Sequence, residues 1–193
     1  MSRMKRIYHR FRGRQVLYQY YTNVHYRTPE SCLRYHGRIY TSMDTNLPEE
    51  CLRYGEHLEF PVRELDYYQA MADRMKRIAE DELRRRRLFR EASDILSDRT
   101  EAAVELLKEA TRIETYVGEV EGLVWGHRER LAEDPQLART LYKLFIRAYR
   151  NKFAKPKYER WPERMRFERE RYGVQRLNAL FEFEIESGEA GNE

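Results

Sequence analysis

The residues best placed to do chemistry fall in a near-repeat. Pro29-Glu30-Ser31-Cys32-Leu33-Arg34-Tyr35 returns nineteen residues later as Pro48-Glu49-Glu50-Cys51-Leu52-Arg53-Tyr54, identical at six of seven positions, and a histidine follows each copy, His36 and His57. Two thiolates and two imidazoles make a tetrahedral donor set for zinc, and a small module with little core gains from such a staple. Cys32 and His36 are four apart, which puts them on one face of a helix. Cys51 and His57 straddle Gly55, where the backbone can turn back. The spacing lacks the tight Cys-x2-Cys or His-x3-His pairs of a standard finger. The competing reading makes both cysteines small buried hydrophobes in two look-alike helical turns, with His36 favourable to a helix C-terminus. A Cys32–Cys51 disulfide belongs only to an oxidising setting.

Other groups point to different chemistry. His25 and His36 with Arg27 or Arg38 are the donors and acceptors that a small metal-independent ribonuclease needs: an acid, a base and a cation for the phosphate. The first fourteen residues carry Arg3, Lys5, Arg6, Arg10, Arg12 and Arg14, no acid, and the interleaved aromatics Tyr8 and Phe11. Such an arm suits sequence-independent DNA contacts that weaken with salt, because each phosphate contact releases counterions. Its alternative is a solvated arm paired with acidic helices of its own chain. The run Arg84-Arg85-Arg86-Arg87 reads as a solvated helix face neutralised by Asp81, Glu82 and Glu91. Gly118, Gly122 and Gly126 lie four apart, as in close helix contacts, but three glycines weaken a helix, so a kink or break is expected there, with His127 exposed. No Walker loop, dinucleotide-binding glycine pattern, nucleophile elbow or zincin helix is present.

The stretch Thr22-Asn23-Val24-His25-Tyr26-Arg27-Thr28-Pro29, continuing through Cys32 to His36-Gly37-Arg38-Ile39-Tyr40, resembles the head-morphogenesis motif of tailed-phage minor head proteins. In that family an extended segment leads to an Arg-Thr-x-x-x-Cys/His turn, then a His-Gly-Arg-aliphatic-aromatic run and a proline-rich segment with further Cys or His. Arg27, Thr28, Cys32, His36, Gly37 and Arg38 fill those positions. The last segment departs, offering only Pro48, Cys51 and then His57 where the family often has a Pro-x-Cys-x-Cys run. The match covers residues 15–62. The resemblance implies a non-catalytic structural role near capsid or portal-type proteins, with sequence-independent DNA contacts, in the bacterial cytoplasm or the virion. A stand-alone nucleic-acid-binding protein with a zinc-stapled module is the alternative, and the ribonuclease a second.

These residues must be positioned by the elements around them. Over 193 residues the net charge is +4, but residues 1–40 hold nine Lys or Arg against Glu30 alone, a charge of +8 that leaves −4 for the rest. Charged residues make up 36%, so no window approaches the roughly eighteen apolar residues of a membrane span. With thirteen per cent aromatics, nine Gly and six Pro, the chain can order itself. With two cysteines and no secretory signal, a reducing compartment is the default.

Residues 15–21 read as a Tyr-rich strand. Thr28 caps a short helix with Pro29 at its first position, Gly37 ends it, and 38–40 form a second strand. A polar loop over 41–47 leads to a second short helix from Pro48 to Gly55, followed by extended 57–62. Beyond residue 62 the apolar positions recur three and four apart: a long helix over 63–96, one opened by an Asp98/Glu101 capping box, one opened by Asp134-Pro135, and a last one from Pro162. The expected fold is mainly α, a small N-terminal α+β module over 15–62 followed by a helical bundle with one long helix over 63–186. The bundle is expected to bind a partner or itself, and 187–193 to be a disordered tail.

Overall fold

A computed structural model describes residues 16–41 and 47–182. The basic arm of 1–14, most of the polar loop and the tail at 187–193 lie outside these residues. The fold is mainly α, with a small antiparallel sheet first and a helical bundle with one long helix after it. The expected boundary at 62 marks where the secondary structure changes. The compact units divide instead at 80/81, inside the long helix.

In the first unit, β1 (Val16–Thr22) is the central strand of the order β2-β1-β3. It pairs antiparallel with β2 (Ile39–Tyr40), Gln19 facing Ile39, and along its whole length with β3 (Gly55–Pro61), from Val16↔Pro61 to Thr22↔Gly55. Three of the seven residues of β1 are tyrosines, which fit a pleated, half-buried surface. Two six-residue helices, α1 (Glu30–Tyr35) and α2 (Glu49–Tyr54), carry the two copies of the near-repeat. Pro29 and Pro48 hold nearly the same extended conformation, φ/ψ −53/140 and −52/140, so both copies enter their helices in the same way.

Thr28 is not the cap that the sequence implies. Its hydroxyl donates to the Asn23 carbonyl (2.6 Å) and accepts the His25 N–H (3.3 Å), closing the turn before α1, and Pro29 takes the N-cap position. After α2 and β3, a single 3-10 turn (Val62–Glu64) leads into α3 (Leu65–Ile95), 31 residues long. The first half of α3 belongs to this unit: Tyr68 stacks on Phe60 with ring centres 3.9 Å apart, and its carbonyl accepts from the buried Gln19 side chain (3.2 Å).

The second unit holds the other half of α3 with α4 (Thr100–Ile113), α5 (Val117–Gly126), α6 (Arg128–Glu133), α7 (Pro135–Lys152), α8 (Pro156–Glu159) and α9 (Glu163–Leu180). Its core is one cluster including Ala92, Leu96, Leu107, Val120, Leu131, Leu141, Phe145, Leu177 and Phe181. Asp134 caps α7 as its sequence implies, accepting the Leu137 N–H at 3.0 Å with Pro135 just inside. The capping box at Asp98 does not form. Asp98 sits in the turn that closes α3, its N–H bonded back to the Ile95 carbonyl (3.2 Å), and Arg99 takes the cap position of α4 without a side-chain bond. The glycine segment is an unbroken helix, α5; the break comes after Gly126. Among the described residues a Cβ at Gly122 or Gly126 would meet nothing within 4 Å, so these two are not contact glycines there. Gly173 on α9 is one, with the Tyr149 ring of α7 in the space a Cβ would take.

Candidate functional site

The near-repeat turns out to be a helix pair packed on itself. Cys32 and Cys51, which hold the same position in the two copies, are both fully buried and share one small core cluster with Tyr20. Ser31 donates to the Glu50 carboxylate, again the same position in each copy. Contacts between like positions are the signature of an isologous pairing, here within one chain. Tyr20 of β1 lies against the two thiols, and its hydroxyl donates to the Cys51 carbonyl at 3.0 Å. Burial, reinforced by the neighbouring Cys32, pushes the Cys51 thiol up to about 12. A thiol held that far up is inert near neutral pH.

The histidines do other work. His36, at the C-cap of α1, accepts the Thr22 backbone N–H through Nδ1 (3.0 Å), and burial lowers it to about 4. It is neutral at physiological pH, so it joins α1 to β1 as an acceptor rather than adding charge to a helix end. His57 on β3 packs edge-on to Tyr20 (5.6 Å), its Nε2 buried with no hydrogen-bond partner among the described residues, and burial lowers its pKa. Among the described residues no three His, Cys, Asp or Glu side chains lie close enough to share a metal ion. The two thiols meet, but Cys32, His36, Cys51 and His57 do not form one ligand set in this arrangement.

The remaining motif residues hold the turns. Gly37 adopts φ +83, which favours glycine, and its N–H donates to the Tyr20 carbonyl (2.8 Å). The Tyr20 N–H donates in turn to the Arg38 carbonyl (2.9 Å), and the Arg38 guanidinium lies over the Tyr35 ring at 4.5 Å. Arg27 is exposed beside Tyr26, while the His25 Nδ1 accepts the Arg27 N–H at 3.4 Å. The imidazoles assigned to acid–base work thus both accept from the backbone.

In the second unit lies a site that the sequence reading missed. Arg85 is not part of a solvated face: it is 1% exposed, forked onto Glu82 of its own helix (2.8 and 2.9 Å) and onto Glu119 of α5 (2.6 and 3.0 Å). Arg86 also binds Glu82, at 2.9 Å. Burial works against the Arg85 charge, but the bonds from Glu82 and Glu119 outweigh it and raise its pKa. Glu119 is raised by burial despite Arg85. The Arg85 guanidinium also faces the Tyr116 ring at 4.9 Å, and Lys152 of α7 faces the same ring at 4.8 Å.

Lys152 donates to the Thr115 carbonyl (3.1 Å) and approaches Glu114 (3.6 Å), which also binds Lys157. Burial resists the Glu114 charge, yet Lys152 and Lys157 prevail and hold its pKa below the usual value. The linker Glu114-Thr115-Tyr116 is therefore a polar seam between α3, α5, α7 and α8. His127, expected to be exposed and alone, has its Nε2 3.2 Å from the Ser93 hydroxyl.

Compared with known proteins, the chain matches no family model, no curated protein and no solved structure. Among the described residues no helix is long and apolar enough to cross a membrane.

Proposed function

We propose that the chain is a structural, non-catalytic head-associated protein of a tailed phage or prophage, acting through contacts with capsid or portal-type proteins and through sequence-independent contacts with DNA. The supporting observation is where the motif residues are used. Thr28 closes the turn into α1, His36 ties that helix to β1, Gly37 makes the left-handed turn, and the Arg38 carbonyl carries the sheet register. A segment whose polar groups are engaged in this way builds a rigid module. A buried histidine lowered to about 4 suits that role better than proton transfer near neutral pH. Deleting the gene from the phage or prophage that carries it is expected to abolish infectious particles while capsid protein is still made, and the chain is expected in purified heads. Normal titre after deletion, with heads free of the chain, would overturn the reading.

The alternative, a stand-alone nucleic-acid-binding protein with a zinc-stapled module, is favoured by one observation, the meeting of Cys32 with Cys51. It requires an imidazole to leave its present position and close on the thiols. Zinc analysis of the purified protein, with Cys32→Ser in parallel, decides it. Metal bound in proportion and lost with the thiol supports the staple, and folded zinc-free protein ends it.

A further inference from the structure

The basic arm is not the one basic stretch of the chain, and the net charge conceals a second. Residues 155–176 hold eight Lys or Arg against four Glu, although the chain beyond residue 40 is net negative. Within this stretch three aromatics each directly follow an arginine: Arg160-Trp161, Arg166-Phe167 and Arg171-Tyr172. They belong to α9 and the turn before it, and none is part of the core: Phe167 is 64% exposed, Tyr172 57% and Trp161 37%. α9 buries its other face instead, through Gly173, Leu177 and the partly buried Val174.

Large exposed aromatics lose free energy in water, and a helix that only had to cover the bundle would place polar groups there. We infer that the outer face of α9 with the Trp161 turn is a binding surface for single-stranded nucleic acid, with bases stacked on Trp161, Phe167 and Tyr172 and phosphates held by Arg160, Arg169 and Arg171. Those three arginines are exposed, and among the described residues none forms an ion pair. Arg164 is paired with Glu168 at 2.8 Å, but both side chains are largely in water, where such a pair contributes little and a phosphate competes readily.

Charge separates this occupant from a protein partner. A protein interface would match isolated arginines with isolated carboxylates, whereas a basic excess with exposed arginines interspersed among exposed aromatics fits a ligand that repeats one anion and one flat ring per unit. Stacking is sequence-tolerant, since every base has a π-face. The inference does not depend on the head-assembly reading or on the arm.

The test uses the full chain with Arg3, Lys5, Arg6, Arg10, Arg12 and Arg14 all changed to Gln, so that the arm contributes no charge. Fluorescence anisotropy with a labelled mixed-sequence single strand is expected to show salt-sensitive binding, tighter than to the same sequence as duplex. Phe167→Ala and Tyr172→Ala, both at exposed positions, are each expected to weaken binding roughly tenfold with no change in melting temperature. Arg171→Gln is expected to reduce the slope of log affinity against log salt by about one unit. In a Trp125→Phe background, Trp161 fluorescence is expected to quench as the strand binds. Absence of binding, preference for duplex, or affinity indifferent to Phe167 and Tyr172 would each overturn the inference, and none of these results bears on whether deletion of the gene abolishes phage particles.

Discussion

Arg85→Met is expected to destabilise the second unit by about 3–5 kcal/mol, because it leaves Glu82 and Glu119 facing each other in the interior without their shared cation. Glu82 is 3% exposed and Glu119 is mostly covered, so water cannot replace the guanidinium. Methionine fills a similar volume, which removes cavity formation from the comparison and leaves the charge as the cause. Arg85→Lys should fall between the variant and the parent. An ammonium keeps the charge but cannot fork onto two carboxylates at once, as the four bonds of Arg85 do.

The pH dependence supplies a second readout. Burial already raises the Glu119 pKa in the parent, and in Arg85→Met this carboxyl also loses its nearest cation, so its folded pKa should lie further above the unfolded one. The loss should therefore be largest near neutral pH and shrink as pH falls toward the carboxylate range. Urea denaturation of parent and variants at neutral and mildly acidic pH measures both effects. A loss under 1 kcal/mol at neutral pH, or one that grows on acidification, would show that the network does not hold the unit together.

Arg85 also shows where sequence reading reaches its limit. Four consecutive residues span most of the circumference of a helix, so Arg84 to Arg87 cannot all face water on a helix that is packed along one side. The burial stripe of α3 runs through Ala79, Glu82, Arg85, Leu88 and Ala92, at spacings of three and four, and continues to Leu96 in the turn that follows. Near Leu83 two of these stripe positions are polar, Glu82 and Arg85, so the apolar pattern is interrupted where the buried charges sit. What the sequence does not contain is the partner, because Glu119 lies thirty-four residues away and only the tertiary fold brings it within reach.

The elements themselves were legible where local chemistry decides them: the tyrosine-rich strand, Asp134 before Pro135, and the prolines ahead of α1, α2 and α9. Caps that compete with a turn were not. Thr28 and Asp98 have the right residue types, but the chain closes a turn with each before the helix begins. The near-repeat was legible as a repeat, whereas the fact that it packs on itself around two thiols is a property of the assembled sheet and helices.

Gly37 is the motif position at which a single methyl group should cost most. Its φ of +83 lies where a side chain strains the backbone, by about 1–2 kcal/mol in a non-glycine residue. A Cβ built there would also fall 2.7 Å from the Ala72 carbonyl oxygen and 2.9 Å from the Met75 Cβ, both on α3. One of these is backbone within a long helix and the other is fixed to it, so neither can swing aside, and overpacking of this kind costs about 1–3 kcal/mol. Gly37→Ala should therefore destabilise the first unit by about 3 kcal/mol, with the loss showing in the near-ultraviolet signal of its tyrosines. Gly122→Ala is the matched control. It adds the same methyl in open space within α5, where alanine is favoured over glycine by about 0.5–1 kcal/mol, so this variant should be slightly more stable than the parent. Equal and opposite changes are not required, but the two must differ in sign. If Gly37→Ala melts with the parent, the His-Gly-Arg turn does not seat against α3, and the reading of the motif as the device that locks sheet to helix falls with it.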